Sequence, residues 1–271
     1  MGKADLHVHT MGGDGLDSVE SILEHVDAST RLDVIAITEH DDLAVGLAAR
    51  ELAASRRGRV AVVPGVEVTT LQGHLVALFL ESPIPSFRPI HETIEAVRRQ
   101  GGVCFVPHPM SWLTRSVGSS TLDRLSERAN EGLAPDALEL ATCNPAARPF
   151  VARARRLNAE RYRLPSIGAS DAHFKQAVGS AYTEFQGASP EDLKSALLSG
   201  TATGAEAGFP SLRSVGLVRA LSVPLIGLRA TPRKMGWRRT AWSFVRGYAS
   251  GFLTGTKPVS ARVQNRGESS E

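Results

Sequence analysis

The sequence predicts an α/β barrel, and two observations carry that prediction. Short β-type runs alternate with helix-type segments over most of the 271 residues, the pattern of parallel strands joined by helical crossovers. Residues of metal-ligating type, His40, Glu67, His108 and Asp171, fall at or just beyond the C-terminal ends of different candidate strands. A barrel assembles its site at that edge from many strands, whereas an open doubly wound sheet concentrates it at one switch point. With seven candidate strands, the barrel is the better fit.

The first strand, over 3–8, runs into Asp5-Leu6-His7-Val8-His9-Thr10. Side chains two apart on a strand share a face, so His7 and His9 project together. A helix over 18–30 begins at Ser18, a residue type that caps helix starts. Strands follow at 33–38 and 60–66, where Val34-Ile35-Ala36-Ile37 and Val60-Ala61-Val62-Val63 are continuously apolar, as strands covered on both faces are. A helix over 43–57 separates them. The remaining strands lie near 74–80, 102–106, 136–141 and 165–169, with helices near 89–100, 119–131 and 146–160. Pro64, Pro107 and Pro165 punctuate loops or strand entries. The pattern changes near residue 205, which divides the chain into a barrel, 1–205, and an extension, 206–271.

Composition sets the class. Apolar residues make up 42% and charged residues 22% of the chain, as in a soluble globular protein. The chain opens directly into a strand, with no basic segment followed by an apolar one, so no signal peptide is expected and the location is read as cytoplasmic. Met1-Gly2 is followed by Leu at position 6, where a myristoylation motif requires Ser or Thr. Cys104 and Cys143 make no disulfide framework and are read as reduced. The net charge of +3 divides unevenly, with −5 on residues 1–205 and +8 on 206–271. Within the extension, Trp237, Ala241, Phe244, Val245, Tyr248 and Phe252 recur at helical spacing among Arg233, Lys234, Arg238, Arg239 and Arg246. That stripe suits a helix packed on the barrel, a peripheral contact of 233–254 with an anionic membrane at its inner face, or a short nucleic acid. Its apolar run is interrupted by Arg246 and too short for a membrane span. Residues 259–271 read as a disordered end.

Taken singly, the polar motifs have ordinary explanations. A His-x-His pair can be satisfied on a surface, Glu67 can bind an Arg, and Asp171 can cap a helix. Jointly they do not, since six of the eight histidines fall in the set; only His25 and His91, on or beside helical segments, stand apart. Imidazole and carboxylate donors suit Zn²⁺, Mn²⁺ or Fe²⁺, and there is no clustered thiolate pair for a structural zinc site.

The segments Asp5-Leu6-His7-Val8-His9-Thr10, Ile37-Thr38-Glu39-His40-Asp41, Pro64-Gly65-Val66-Glu67, His74, His108-Pro109 and Ser170-Asp171-Ala172-His173 resemble those of the PHP (polymerase and histidinol phosphatase) superfamily. The resemblance spans roughly residues 3–205. It implies a distorted seven-stranded (β/α) barrel carrying a metal-dependent phosphoesterase, with two or three divalent ions. By the same resemblance His7, His9, Glu67 and Asp171 hold one ion, and Glu67 bridges to a second completed by His74 and His108. A third takes Asp14, His40 and His173. Two features depart from the family pattern: Gly13-Asp14-Gly15 stands where Ser-Asp-Gly is usual, and only 33 residues separate His74 from His108, where some nucleotide-acting relatives carry a large insertion.

The function expected is hydrolysis of a phosphomonoester, such as a nucleoside phosphate or a 3′,5′-bisphosphate, by a metal-bound hydroxide. Glu67 serves as bridge, and Asp171 or His173 relays a proton. A bound phosphate calls for cations, for which Arg115 and then Lys175 are the candidates, Arg148 reading as an ordinary exposed cation. Asn144 and Cys143 lie past a strand end where they can line the pocket. Histidinol phosphate is the competing substrate. A metal-stabilised regulatory or binding domain is the competing class, disfavoured because all nine ligand positions are filled.

Overall fold

Seven strands form where the sequence places them: β1 (Gly2–Val8), β2 (Val34–Ile37), β3 (Ala61–Thr69), β4 (His74–Leu78), β5 (Val103–Val106), β6 (Ala137–Ala141) and β7 (Ser166–Gly168). The computed structural model describes residues 1–211 and Val215. Five helices alternate with them, α1 (Val19–Ser29), α2 (Leu43–Ser55), α3 (Ile90–Arg99), α4 (Ser119–Glu127) and α5 (Arg148–Leu157). Ser18 caps α1 by accepting from Ser21 N–H, and Asp42 caps α2 by accepting from Ala44 N–H. After residue 180 come two more strands, β8 (Ala181–Phe185) and β9 (Thr203–Glu206), flanking α6 (Pro190–Ser199). The stripe over 233–254 and the rest of the basic extension beyond Val215 lie outside the described residues.

The sheet has nine strands rather than seven, in the order β7-β6-β5-β4-β3-β2-β1-β8-β9. Nor is it all parallel. β4 runs antiparallel to both β3 and β5, and β8 runs antiparallel to β1 and β9. The link from Thr69 to His74 is a short hairpin, far below the dozen or so residues a parallel crossover needs. Reversal of β4 has a consequence for the site. Its first residue, His74, pairs with Thr69 at the end of β3, so a strand start reaches the edge where the parallel strands end.

The ends of the sheet approach one another, giving a nearly closed barrel. Beyond β7, His9 N–H donates to Ala172 O at 2.8 Å and Ala172 N–H to His7 O at 3.1 Å, a parallel bridge between Val8 and Ala172. Gly168 of β7 meets β8, where Thr183 Oγ1 accepts from Gly168 N–H at 3.1 Å and its hydroxyl donates to Gly168 O at 2.7 Å. A Cβ on Gly168 would stand 2.2 Å from Tyr182 O, so this approach requires glycine.

Inside the barrel, Ala4, Leu6, Val34, Ala36, Val63, Val76, Leu78, Phe105 and Ile167 form one cluster with Leu193, Ala196 and Leu197 of α6. Two further clusters pack α1–α2 and α3–α5 against the outer faces. A strict alternation continuing from Ala4 and Leu6 would turn His7 outward. Instead the β1–β2 register shifts between Asp5 and Val8, and Val8 packs with the outer cluster of α1 and α2. The bulge swings His7 and His9 onto the inner face, the re-aiming that bulges perform beside functional sites.

Candidate metal centre

Glu67 is the hub of the inner, upper end of the barrel. It alternates inward on β3 between the outward Val66 and Val68 and is 1% exposed. Its Oε2 lies 3.3 Å from His7 Nε2, 3.4 Å from His9 Nε2 and 3.2 Å from His40 Nδ1. Its Oε1 lies 2.7 Å from His74 Nδ1 and 3.1 Å from His108 Nε2. Asp171 completes one side, its Oδ1 being 3.4 Å from His9 Nε2 and 3.6 Å from His7 Nε2. On the other side of the His9 ring, Asp14 meets His9 Nδ1 at 3.5 Å, His40 Nε2 at 3.6 Å and His173 Nε2 at 3.4 Å. All nine sequence-predicted ligand residues are brought together. Three sets have donor atoms mutually within 4.8 Å: His7, His9 and Asp171; His40, Glu67 and His74; and His9, Asp14, His40 and His173.

Local backbone makes these placements. The 10–15 loop folds back on β1, with Gly13 and Gly15 N–H both donating to Thr10 O. A Cβ on Gly15 would fall 2.7 Å from the His9 carbonyl, so glycine there lets Asp14 reach the ring. Asp41, His108 and Asp171 take left-handed backbone, with φ of 56°, 33° and 51°. Each such residue costs of order 1–3 kcal/mol, and this rim is where the neighbouring hydrogen bonds hold them.

Two carboxylates not singled out in the sequence support the ligands. Glu139, fully buried on β6, sets its Oε2 3.2 Å from His7 Nδ1. Accepting the Nδ1 proton leaves Nε2 free to face the centre. Glu39 accepts from Thr10 N–H at 2.6 Å, and its Oε2 stands 3.9 Å from His9 Nδ1. His108 Nδ1 is held by Ser116 Oγ at 2.8 Å and Thr114 Oγ1 at 3.1 Å. Asn144 Nδ2 donates to Asp171 Oδ2, so Asn144 belongs to the pocket, whereas Cys143 is buried with its thiol on Ser180 O at 3.3 Å.

The two candidate substrate cations each contact the protein, with the Arg115 Nε left buried without a hydrogen-bond partner. Arg115 Nη2 donates to Thr70 O at 3.0 Å and its backbone oxygen accepts from His74 N–H, which ties the 108–118 loop to the β3–β4 hairpin. Lys175 Nζ donates to Ser21 Oγ of α1 at 2.8 Å.

The donor set fits a cation. His9 Nδ1 and Asp14 Oδ1 are buried without a hydrogen-bond partner, and His7 and His9 point Nε2 at each other across 3.1 Å. Electrostatics say the same. Burial pushes the His7 imidazolium down, yet Asp171 and Glu67 outweigh it and hold its pKa well above the ordinary value. Against burial and the His173 charge, Asp171, Glu67 and Asp14 raise His9 to about 9. Burial is likewise outweighed at His173, which Asp14 and Asp171 raise to about 9. Glu67, Asp14 and Asp171 are held below the usual carboxylate range against burial by the histidines around them. His74, dominated by burial, is lowered. Buried carboxylates that gather positive charge from imidazoles are arranged for divalent ions.

Residues 152–202, which include Asp171 and His173, match the PHP-associated family model PHP_C. An uncharacterized protein of Methanocaldococcus jannaschii is 36% identical over 132 residues, covering 45% of this chain and 75% of that protein. The 5′-3′ exoribonuclease Rnm of Salmonella typhimurium is 35% identical over 88 residues, 31% of this chain and 30% of that one. Among solved structures, a two-domain protein of Bacteroides vulgatus containing a predicted PHP-like metal-dependent phosphoesterase superposes with a TM-score of 0.58 at 21% identity. The superposition covers 75% of this chain and 64% of that one.

Proposed function

We propose that this chain is a metal-dependent phosphoesterase of PHP type, a reading supported by the PHP_C match over residues 152–202, and that it hydrolyses a phosphomonoester, with nucleoside phosphates and 3′,5′-bisphosphates as its substrate class. The convergence of five imidazoles on the two oxygens of Glu67 carries the reading. A single carboxylate with imidazoles on both sides could hold two ions, and ions so held would stabilise the attacking and leaving oxygens of an in-line displacement. His7, His9, Glu67 and Asp171 are assigned to one ion; Glu67, His74 and His108 to a second; Asp14, His40 and His173 to a third. The nitrogen and oxygen donors suit Mn²⁺, Zn²⁺ or Fe²⁺.

When bound, such ions supply Lewis acidity and lower the pKa of water. The chain supplies the rest. Glu67 fixes the spacing of the centre, and Glu139 fixes the tautomer of His7. Asn144 fixes the rotamer of Asp171. Asp171 or His173 would relay a proton to the departing alkoxide. The similarity to an exoribonuclease over 88 residues supports a nucleotide over histidinol phosphate, the competing monoester.

The test is phosphate release from nucleoside 5′-monophosphates, 3′,5′-bisphosphates and histidinol phosphate, with Mn²⁺ or Zn²⁺ returned to metal-stripped protein. Metal-dependent release is expected, lost in Glu67→Gln together with bound metal. A Glu67→Gln variant with wild-type rate and metal content would overturn the assignment. So would a folded, metal-loaded protein that releases nothing.

A further inference from the structure

Large apolar side chains stand exposed on the loops that carry the ligands. Met11, between His9 and Asp14, is 65% exposed, and Leu71, between Glu67 and His74, is 47% exposed. Trp112 and Leu113, just after His108, are 68% and 53% exposed. Trp112 is held in place rather than dangling. Ser111 N–H donates to His108 O at 3.3 Å, and Met110 N–H donates to Val117 O at 3.0 Å. The Ser111 hydroxyl donates to Ala146 O at 2.8 Å, which joins this loop to the one bearing Asn144, the partner of Asp171. Phe150, in the first turn of α5 just after that second loop, meets the indole edge-to-face, with centroids 6.1 Å apart at 78°.

We propose that Trp112, backed by Phe150, is the stacking platform for the nucleobase of the substrate's leaving group. The inference rests on the phosphomonoesterase reading and narrows it. With the phosphate among the ligands, the esterified group would extend past the loop that follows His108 and the loop that bears Asn144, which Ser111 ties together beside the exposed Trp112. A fixed, open indole suits a flat π-surface, and loops already sewn together by hydrogen bonds lose little freedom when it is covered. A base-free sugar or a short polar chain leaves the indole in water.

The experiment compares adenosine 5′-monophosphate with ribose 5-phosphate, which keeps the sugar and the ester but lacks the base. Trp112→Ala should lower kcat/KM for the nucleotide by about 5- to 150-fold, the range expected for loss of one base–aromatic stack, chiefly through KM. Ribose 5-phosphate should be unaffected, and Trp112→Phe should restore most of the loss. Equal effects on the two substrates, or an effect confined to histidinol phosphate, would overturn the platform while leaving the phosphoesterase intact. Adenosine itself, which has no phosphate to lose, provides a readout free of turnover. It should quench tryptophan fluorescence of the metal-loaded protein, and Trp112→Ala should abolish that quench. If no phosphoester is turned over, the phosphomonoesterase reading falls on its own, and absence of a Trp112-dependent quench then removes the platform as well.

Discussion

Glu139 shows how much of a metal site can rest on a residue that touches no metal. Its carboxylate receives the Nδ1 proton of His7 from 132 positions along the chain. Glu139→Ala removes that acceptor, frees the ring to turn and allows the wrong tautomer. Losing such a supporting carboxylate costs about 10- to 100-fold in metal affinity, to be measured by competition with a chromophoric chelator; an unchanged affinity would leave Glu139 as mere filling. The cysteines supply a second prediction at this scale. Burial pushes the Cys104 thiol up to about 12 and raises Cys143 as well. Because a raised pKa keeps the unreactive thiol form, the folded protein should give no fast reaction with a thiol reagent at pH 8, and both groups should react in denaturant. The nine candidate ligands were legible because imidazole and carboxylate recur beside strand ends. Glu139 was not, because a lone carboxylate within Ala137-Leu138-Glu139-Leu140 carries no spacing signal that points to a partner so distant.

At the scale of elements, the apolar runs disclosed every strand from β1 to β7, yet not their directions. The seven residues between the expected strands 60–66 and 74–80 were already too few for a crossover, so reversal of β4 was readable from length. β8 was readable from period, since Ala181, Thr183 and Phe185 are buried while Tyr182 and Glu184 are half-exposed. The β1 bulge was not readable, because Leu6-His7-Val8 has the same alternation with or without it; only the closed barrel decides which face is inside. Closure itself is testable at Gly168. A methyl group there meets Tyr182 O at 2.2 Å, and overpacking of this kind costs about 1–3 kcal/mol. Gly168→Ala should therefore lower the melting temperature by several degrees. Gly118→Ala, with nothing within 4 Å of its added Cβ, should change it little. Equal melting temperatures for the two variants would mean that β7 and β8 do not meet as described.

For the whole molecule, the proposed metal centre is also a clasp. Its candidate ligands come from strands far apart in the nine-stranded order, from His7 on β1 and His9 just after it and from Asp171 and His173 beyond β7, where the barrel is joined by the Val8–Ala172 bridge. Ions that bind only the folded chain stabilise it by mass action, about 4 kcal/mol at a thousandfold excess over Kd. At roughly 2–4 °C per kcal/mol for a chain of this size, chelation should lower the melting temperature by about 10 °C. Hydrogen exchange should rise first at the His9 and Ala172 amides, which form the bridge. The pH dependence has a definite sign. In the metal-free site the carboxylates raise His9 and His173 to about 9, so at neutral pH an entering ion must displace protons. Metal stabilisation should therefore be small at pH 6 and grow as pH rises toward 9, with proton release in weakly buffered titrations. A melting temperature indifferent to chelator across that range would mean that the imidazole–carboxylate network closes the barrel unaided, and the clasp would have to be given up.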